Sequence, residues 1–160
     1  MPVNRDAIGA HGEAIVTVEL LRRHGRNEPF FRPQFLGEKY PAIDFFVELV
    51  GVDGDLTPFF LAQVKTTSTG YTRGGRLNAR ATPPMMASLV RYPAPTYLIG
   101  VDEDAGRAFI VPTITGGPTQ YRSLPTDLPL SKRVTLQTLY DEVRAFWIAH
   151  GVTFHRSAFE

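Results

Sequence analysis

Two apolar runs joined by a short glycine-bearing turn constrain this chain most. "AIDFFVELV" alternates, with Ile43, Phe45, Val47 and Leu49 on one face and Asp44, Phe46, Glu48 and Val50 on the other. "GVDGDLTP" follows, its Asp53-Gly54 pair suited to positive φ, and "FFLAQVKT" returns. The pattern predicts an antiparallel β-hairpin. In the returning strand Gln63 and Lys65 point one way while Ala62 and Val64 point the other. An amide and an ammonium in so apolar a strand must meet something polar, and the neighbouring strand offers Asp44.

The remaining chain predicts layers for that hairpin. Residues from about Ala7 to His24 read as a helix ended by Gly25. At ~100° per residue, Leu20, Leu21, Ala10, Ala14 and Val18 fall on one broad arc, with Glu19, His11, Arg22 and Arg23 on the rest of the surface. Glu13 falls inside the apolar arc, where a carboxylate is costly unless paired, hydrogen-bonded or bound to a metal. "PFFRPQFLGEKYP" suits an edge strand interrupted by proline. Thr82 and Pro83 predict the N-cap and first turn of a short helix, "PPMMASLVRY", stopped by Pro93. "TYLIGV", the turn "DEDAG" and "RAFIVP" form a second hairpin, giving at least four strands. Leu136, Leu139, Tyr140, Val143, Phe146 and Trp147 recur at helical spacing in a final helix. The expected architecture is one α+β domain over 1–160, with its core at about 7–150 and helices packed on a mainly antiparallel sheet.

Charge and composition narrow the function classes. The chain has no cysteine, so a disulfide framework, a thiolate zinc site and a cysteine nucleophile are excluded. No apolar run reaches the ~18 residues needed to span a bilayer, and the N-terminus has no secretory pattern. The expectation is a cytoplasmic protein with no membrane partner. The formal net charge is +1, so attraction to nucleic acid would have to come from a local patch. One exists: no acidic residue occurs from Thr66 to Gly100, and "STGYTRGGRLNARATPP" carries Arg73, Arg76 and Arg80. Its glycines argue for mobility. The histidines show no metal-ligand spacing, and neither a phosphate-loop nor a G-x-S-x-G pattern occurs.

Glu13 on a helix, Asp44 at the start of a strand, and Gln63 with Lys65 on the next strand form a set that phosphodiester hydrolysis by a divalent metal could use. Carboxylates hold the ion, the ion polarises a phosphoryl oxygen, and a cation steadies the nucleophile or the developing charge. The order "GAHGEAIV", "PAIDFFVEL", "AQVKT" resembles the PD-(D/E)xK nuclease superfamily in a QxK form, similar to Mrr-type and Holliday-junction-resolvase-type members. The whole chain over roughly residues 7 to 150, including "LVRYPAPTYLIGVDEDAGRAFIVP", is similar to an uncharacterised bacterial branch of that superfamily. The resemblance implies a restriction-endonuclease-like three-layer core with a central mixed, mainly antiparallel sheet flanked by helices. It implies Mg²⁺ or Mn²⁺, weakly bound without substrate, held by Asp44, Glu13, Gln63 and the backbone carbonyl of Val64. Lys65 would orient and activate the attacking water. DNA would be the substrate, cleaved by an endonuclease that is a homodimer or relies on a partner protein for specificity.

Plainer readings accompany each residue. Gln63 and Lys65 could form a solvated sheet face or a structural bond to Asp44, and Glu13 could pair with an arginine. Arg73, Arg76 and Arg80 could be a solvated loop. Glu48 shares the face of Asp44 but suits the surface. An alternative for the whole chain is a non-catalytic nucleic-acid-binding or regulatory module, for instance in phage defence, that retains the nuclease fold.

Overall fold

The computed structural model describes residues 4–37, 40–54, 56–150 and 157–159. Among these residues the elements run α1 (Arg5–Leu20), β1 (Phe31–Phe35), β2 (Phe45–Leu49), β3 (Phe59–Thr67), α2 (Pro83–Leu89), β4 (Thr96–Asp102), β5 (Arg107–Pro112) and α3 (Arg133–His150). The five strands lie side by side in chain order. β1–β2, β2–β3 and β4–β5 are antiparallel, and β3–β4, joined through α2, is parallel. The fold is therefore α+β around a mixed sheet. Both predicted hairpins are present, and the proline-bearing β1 lies at the sheet edge, where Pro33 withholds no needed donor.

Alternation sorts the core into two clusters. Phe45, Val47, Phe60, Ala62, Val64, Ile99 and Val101 pack with Val16 and Leu20 of α1 and Leu136, Leu139 and Val143 of α3. On the other face, Leu61, Leu98, Phe109 and Val111 pack with Met86 and Leu89 of α2 and with Leu77 and Leu124 from the connecting segments. The layers are α1 with α3, then the sheet, then α2 with its loops.

Several expectations need correction. α1 starts earlier, because the Asn4 side chain accepts hydrogen bonds from the Asp6 and Ala7 N–H groups. It ends at Leu20, short of His24, and the chain turns afterwards through His24 (φ 48°) and Gly25 (φ 81°). Its buried face is Gly12, Val16, Glu19 and Leu20, whereas Val18 and Leu21 are 58% and 44% exposed. Ala10 and Ala14 are exposed too. Glu19, expected on the surface, is buried and paired with Arg22 Nη2 at 2.9 Å. The physical reason is Gly12: a Cβ built there would lie 1.8 Å from Thr66 Oγ1, so this glycine lets α1 press directly against β3. Thr82 occupies the N-cap of α2 without a side-chain cap bond, and that helix stops at Leu89. The arginine-bearing loop is pinned, against its glycine content. Thr72 N–H donates to Arg76 O at 2.7 Å, Leu77 and Leu124 exchange backbone bonds at 2.9 Å, and Ala81 pairs with Tyr121.

Candidate functional site

The site forms where β2 and β3 part. Their ladder ends at Phe45 opposite Ala62, and Asp44 N–H donates to Ala62 O at 2.9 Å. Beyond that point β3 keeps β4 on one side, through Thr67 opposite Asp102, while β2 no longer covers its other edge. A backbone donor left at such an edge needs a new partner. The Val64 N–H donates to Asp44 Oδ2 at 2.7 Å, so a carboxylate takes over from the missing strand. Gln63, almost fully buried, adds a second donor: its Nε2 lies 2.5 Å from the same Oδ2 and 3.2 Å from Val64 O.

A cleft of about 360 Å³ opens beside this junction, lined by Arg5, Gly9 and Glu13 of α1 and by Val64, Lys65 and Ser68 of β3 and its end. Residues of both parities on β3 line it, as expected at an opened strand edge. Half-buried Glu13 follows Gly12, so the close α1–β3 contact also sets Glu13 at the cleft. The structure thus gathers Glu13, Val64 and Lys65 around one cavity and ties Asp44 and Gln63 to it through Val64. Glu48 stands apart, 3.5 Å from Arg32 Nη1 on the edge strand.

Burial pushes the Asp44 carboxyl above the ordinary carboxylate range. The Val64 N–H, the Lys65 ammonium and the Gln63 amide oppose this, without cancelling it. A carboxylate in that condition gains from any additional positive charge. Among the described residues no group of three or more His, Asp or Glu side chains is placed to share one ion. The donor set still fits a divalent cation of the Mg²⁺ type, which takes one or two carboxylates, a carbonyl and water or phosphate oxygens. Asp44 Oδ2 and Val64 O already converge on one point, since a single nitrogen reaches both.

Arg73 and Arg80 are exposed on the loop that packs over the α2 face, and Arg76 is held by Ser123, its Nε donating to Oγ at 3.0 Å and its Nη2 to the carbonyl at 2.7 Å. Sequence reasoning missed how far this surface extends. Residues 105–126 also contain no acid, and they pair with the arginine loop through Leu124 and Tyr121. The α2 face thereby adds Arg91 and Arg122, both exposed. It adjoins the cleft residue Lys65, which sits beside Gly100 on β4 under the Leu77 and Leu124 side chains. Arg5 and Gly12 were also missed, although Gly12 could have been found as a glycine interrupting a helical pattern.

No helix among the described residues is long and apolar enough to cross a membrane. No protein-family model, no curated protein and no solved structure matches the chain.

Proposed function

We propose that this protein is a metal-dependent nuclease of the PD-(D/E)xK superfamily, in its QxK form, hydrolysing phosphodiester bonds in DNA. The observation that carries the reading is the meeting of Glu13, Val64 with its Asp44 partner, and Lys65 at one cleft where two strands separate. The layered arrangement of helices on a mixed sheet supports the restriction-endonuclease-like fold.

Asp44 Oδ2, Val64 O and Glu13 would hold Mg²⁺ or Mn²⁺ once the Gln63 amide nitrogen has left the two oxygens it faces. The ion, when bound, supplies Lewis acidity toward a phosphoryl oxygen and lowers the pKa of water. Asp44, whose charged form is disfavoured by burial, becomes the anion that this cation stabilises. Lys65 Nζ donates to the attacking water or to a non-bridging phosphoryl oxygen, fixing the line of attack and countering the charge that builds there. Arg5 at the cleft rim offers a second phosphate donor. Arg73, Arg80, Arg91 and Arg122, carried on segments 66–100 and 105–126 that contain no acid, hold the DNA backbone, which makes binding steeply salt-dependent. A domain with so little surface for reading bases needs a second copy or a partner protein for specificity.

Incubation of plasmid or branched DNA with the protein and Mg²⁺ should give nicked product, lost in Asp44→Ala and Lys65→Ala variants that keep their circular dichroism and melting behaviour. Equal cleavage by wild type and both variants would refute the assignment. One observation favours a second reading, a nucleic-acid-binding module without cleavage: Gln63 presents nitrogen, not oxygen, to the cation position. Salt-sensitive DNA binding with no nicking in Mg²⁺ or Mn²⁺ would select it.

A further inference from the structure

We propose that Gln63 is an internal occupant of the cation position, a side-chain latch that keeps the site closed until an ion displaces it. The inference rests on the cation-site reading above and concerns its regulation.

Gln63 Nε2 sits 2.5 Å from Asp44 Oδ2 and 3.2 Å from Val64 O. Both neighbours are acceptors, so the nitrogen and not the oxygen of the amide must face them. A carboxylate oxygen and a backbone carbonyl around one positively polarised group are the same partners a divalent cation would take. The amide hydrogens therefore fill the place of the ion electrostatically and sterically. An amide cannot offer its oxygen to that point while its NH₂ group is there. Rotation about the side-chain torsions, of which the terminal one is broad, turns the NH₂ group away without backbone movement. An incoming cation repels the amide hydrogens, so ion entry and the turning away of the NH₂ group are one event. Gln63 is 7% exposed, so the rotation happens inside the protein and water does not readily replace the lost donor. Asp44 also gives up a donor when the latch opens, which lowers cation affinity in the native protein. With an acid in place of Gln63 no such competitor would exist.

The test is a Mn²⁺ titration, followed by electron paramagnetic resonance of free Mn²⁺ or by calorimetry, on the full chain and on Gln63→Ala, Gln63→Glu and Asp44→Asn variants. The latch predicts that Gln63→Ala binds Mn²⁺ about tenfold more tightly than wild type, because a charge-assisted hydrogen bond no longer competes with the ion. Gln63→Glu should bind more tightly still, and Asp44→Asn less tightly than wild type. If Asp44→Asn weakens binding while Gln63→Ala binds equally or more weakly, the latch is overturned and the cation site stands. If Asp44→Asn leaves Mn²⁺ binding unchanged, or no variant binds, both fail. Should Gln63→Ala not fold, the side-chain amide resonance of Gln63 in the native protein decides: Mg²⁺ saturation must shift it and speed its exchange with water, and an unmoved resonance excludes the latch.

Discussion

The two halves of β3 are built differently, although they are one continuous strand. Phe59 to Ala62 runs beside β2, and from Leu61 onward β4 joins on the other side. Phe59 stacks on Phe46 with centroids 4.7 Å apart, and its carbonyl accepts from Trp147 Nε1 at 2.7 Å. Phe60 meets Phe31 and Tyr97 edge-on at 5.5 and 5.3 Å. Gln63 to Thr67 keeps β4 and loses β2, and side chains take over the vacated edge. The difference teaches where a sheet can carry chemistry. The first segment has its backbone met by β2, by β4 from Leu61 and by the Trp147 indole, and it can be apolar throughout. A half-paired segment must recruit polar side chains, and those same groups can serve a ligand.

Substitutions in each half should separate stability from activity. Phe60→Ala, in the apolar half, should cost about 3–5 kcal/mol in denaturant unfolding, because it empties a fully buried aromatic site. Any activity left at low temperature should retain the native dependence on metal concentration. A loss under 1 kcal/mol would mean that the apolar half is not a rigid support for the polar one. Gly12→Ala tests the contact that joins the helix to the polar half. Overpacking against Thr66 should destabilise by about 1–3 kcal/mol, partly offset by about 1 kcal/mol of helix propensity. Cleavage should fall beyond the loss of folded protein, since Glu13 is carried on the same turn. Normal activity with normal stability would break the link.

The smallest effect concerns pH. Burial raises the folded-state pKa of Asp44 above its ordinary 3.8, so between the two values the native chain binds more protons than the unfolded one. Stability from this residue therefore declines as pH rises through that window and levels off above it. Asp44→Asn does not titrate there. The melting temperature of Asp44→Asn minus that of wild type should grow as pH rises from 3.8, then flatten. A difference that shrinks instead would mean that the hydrogen bonds from Val64 and Gln63, and not burial, dominate this carboxyl.

The order of elements and the polar face of β3 were legible because both rest on alternation within short runs. Asp44, Gln63 and Lys65 could be grouped before any coordinates, since a hairpin fixes which residues face each other. The seating of α1 was not legible. Its contact surface combines Val16 and Leu20 with Gly12 and Glu19, neither of which carries a hydrophobic signal, so periodicity followed Ala10, Ala14 and Val18 onto the exposed side. The pinned arginine loop was equally hidden, because its partners lie at Tyr121 and Leu124, about forty residues onward, and nothing in "TRGGR" announces them. The splay of β2 from β3 at Asp44 also needed coordinates. Alternation shows which residues share a face, but not where a ladder stops.

The central claim is that a divalent cation binds at that splay, between Asp44, Val64 and Glu13. Paramagnetic broadening of backbone amide resonances by substoichiometric Mn²⁺ tests it most directly. The account predicts that Glu13, Asp44, Val64 and Lys65 fade first, with Glu48 and the turn at Asp104 untouched at the same concentration. Broadening that begins at Glu103 and Asp104, or spreads evenly over the acidic surface, would contradict it.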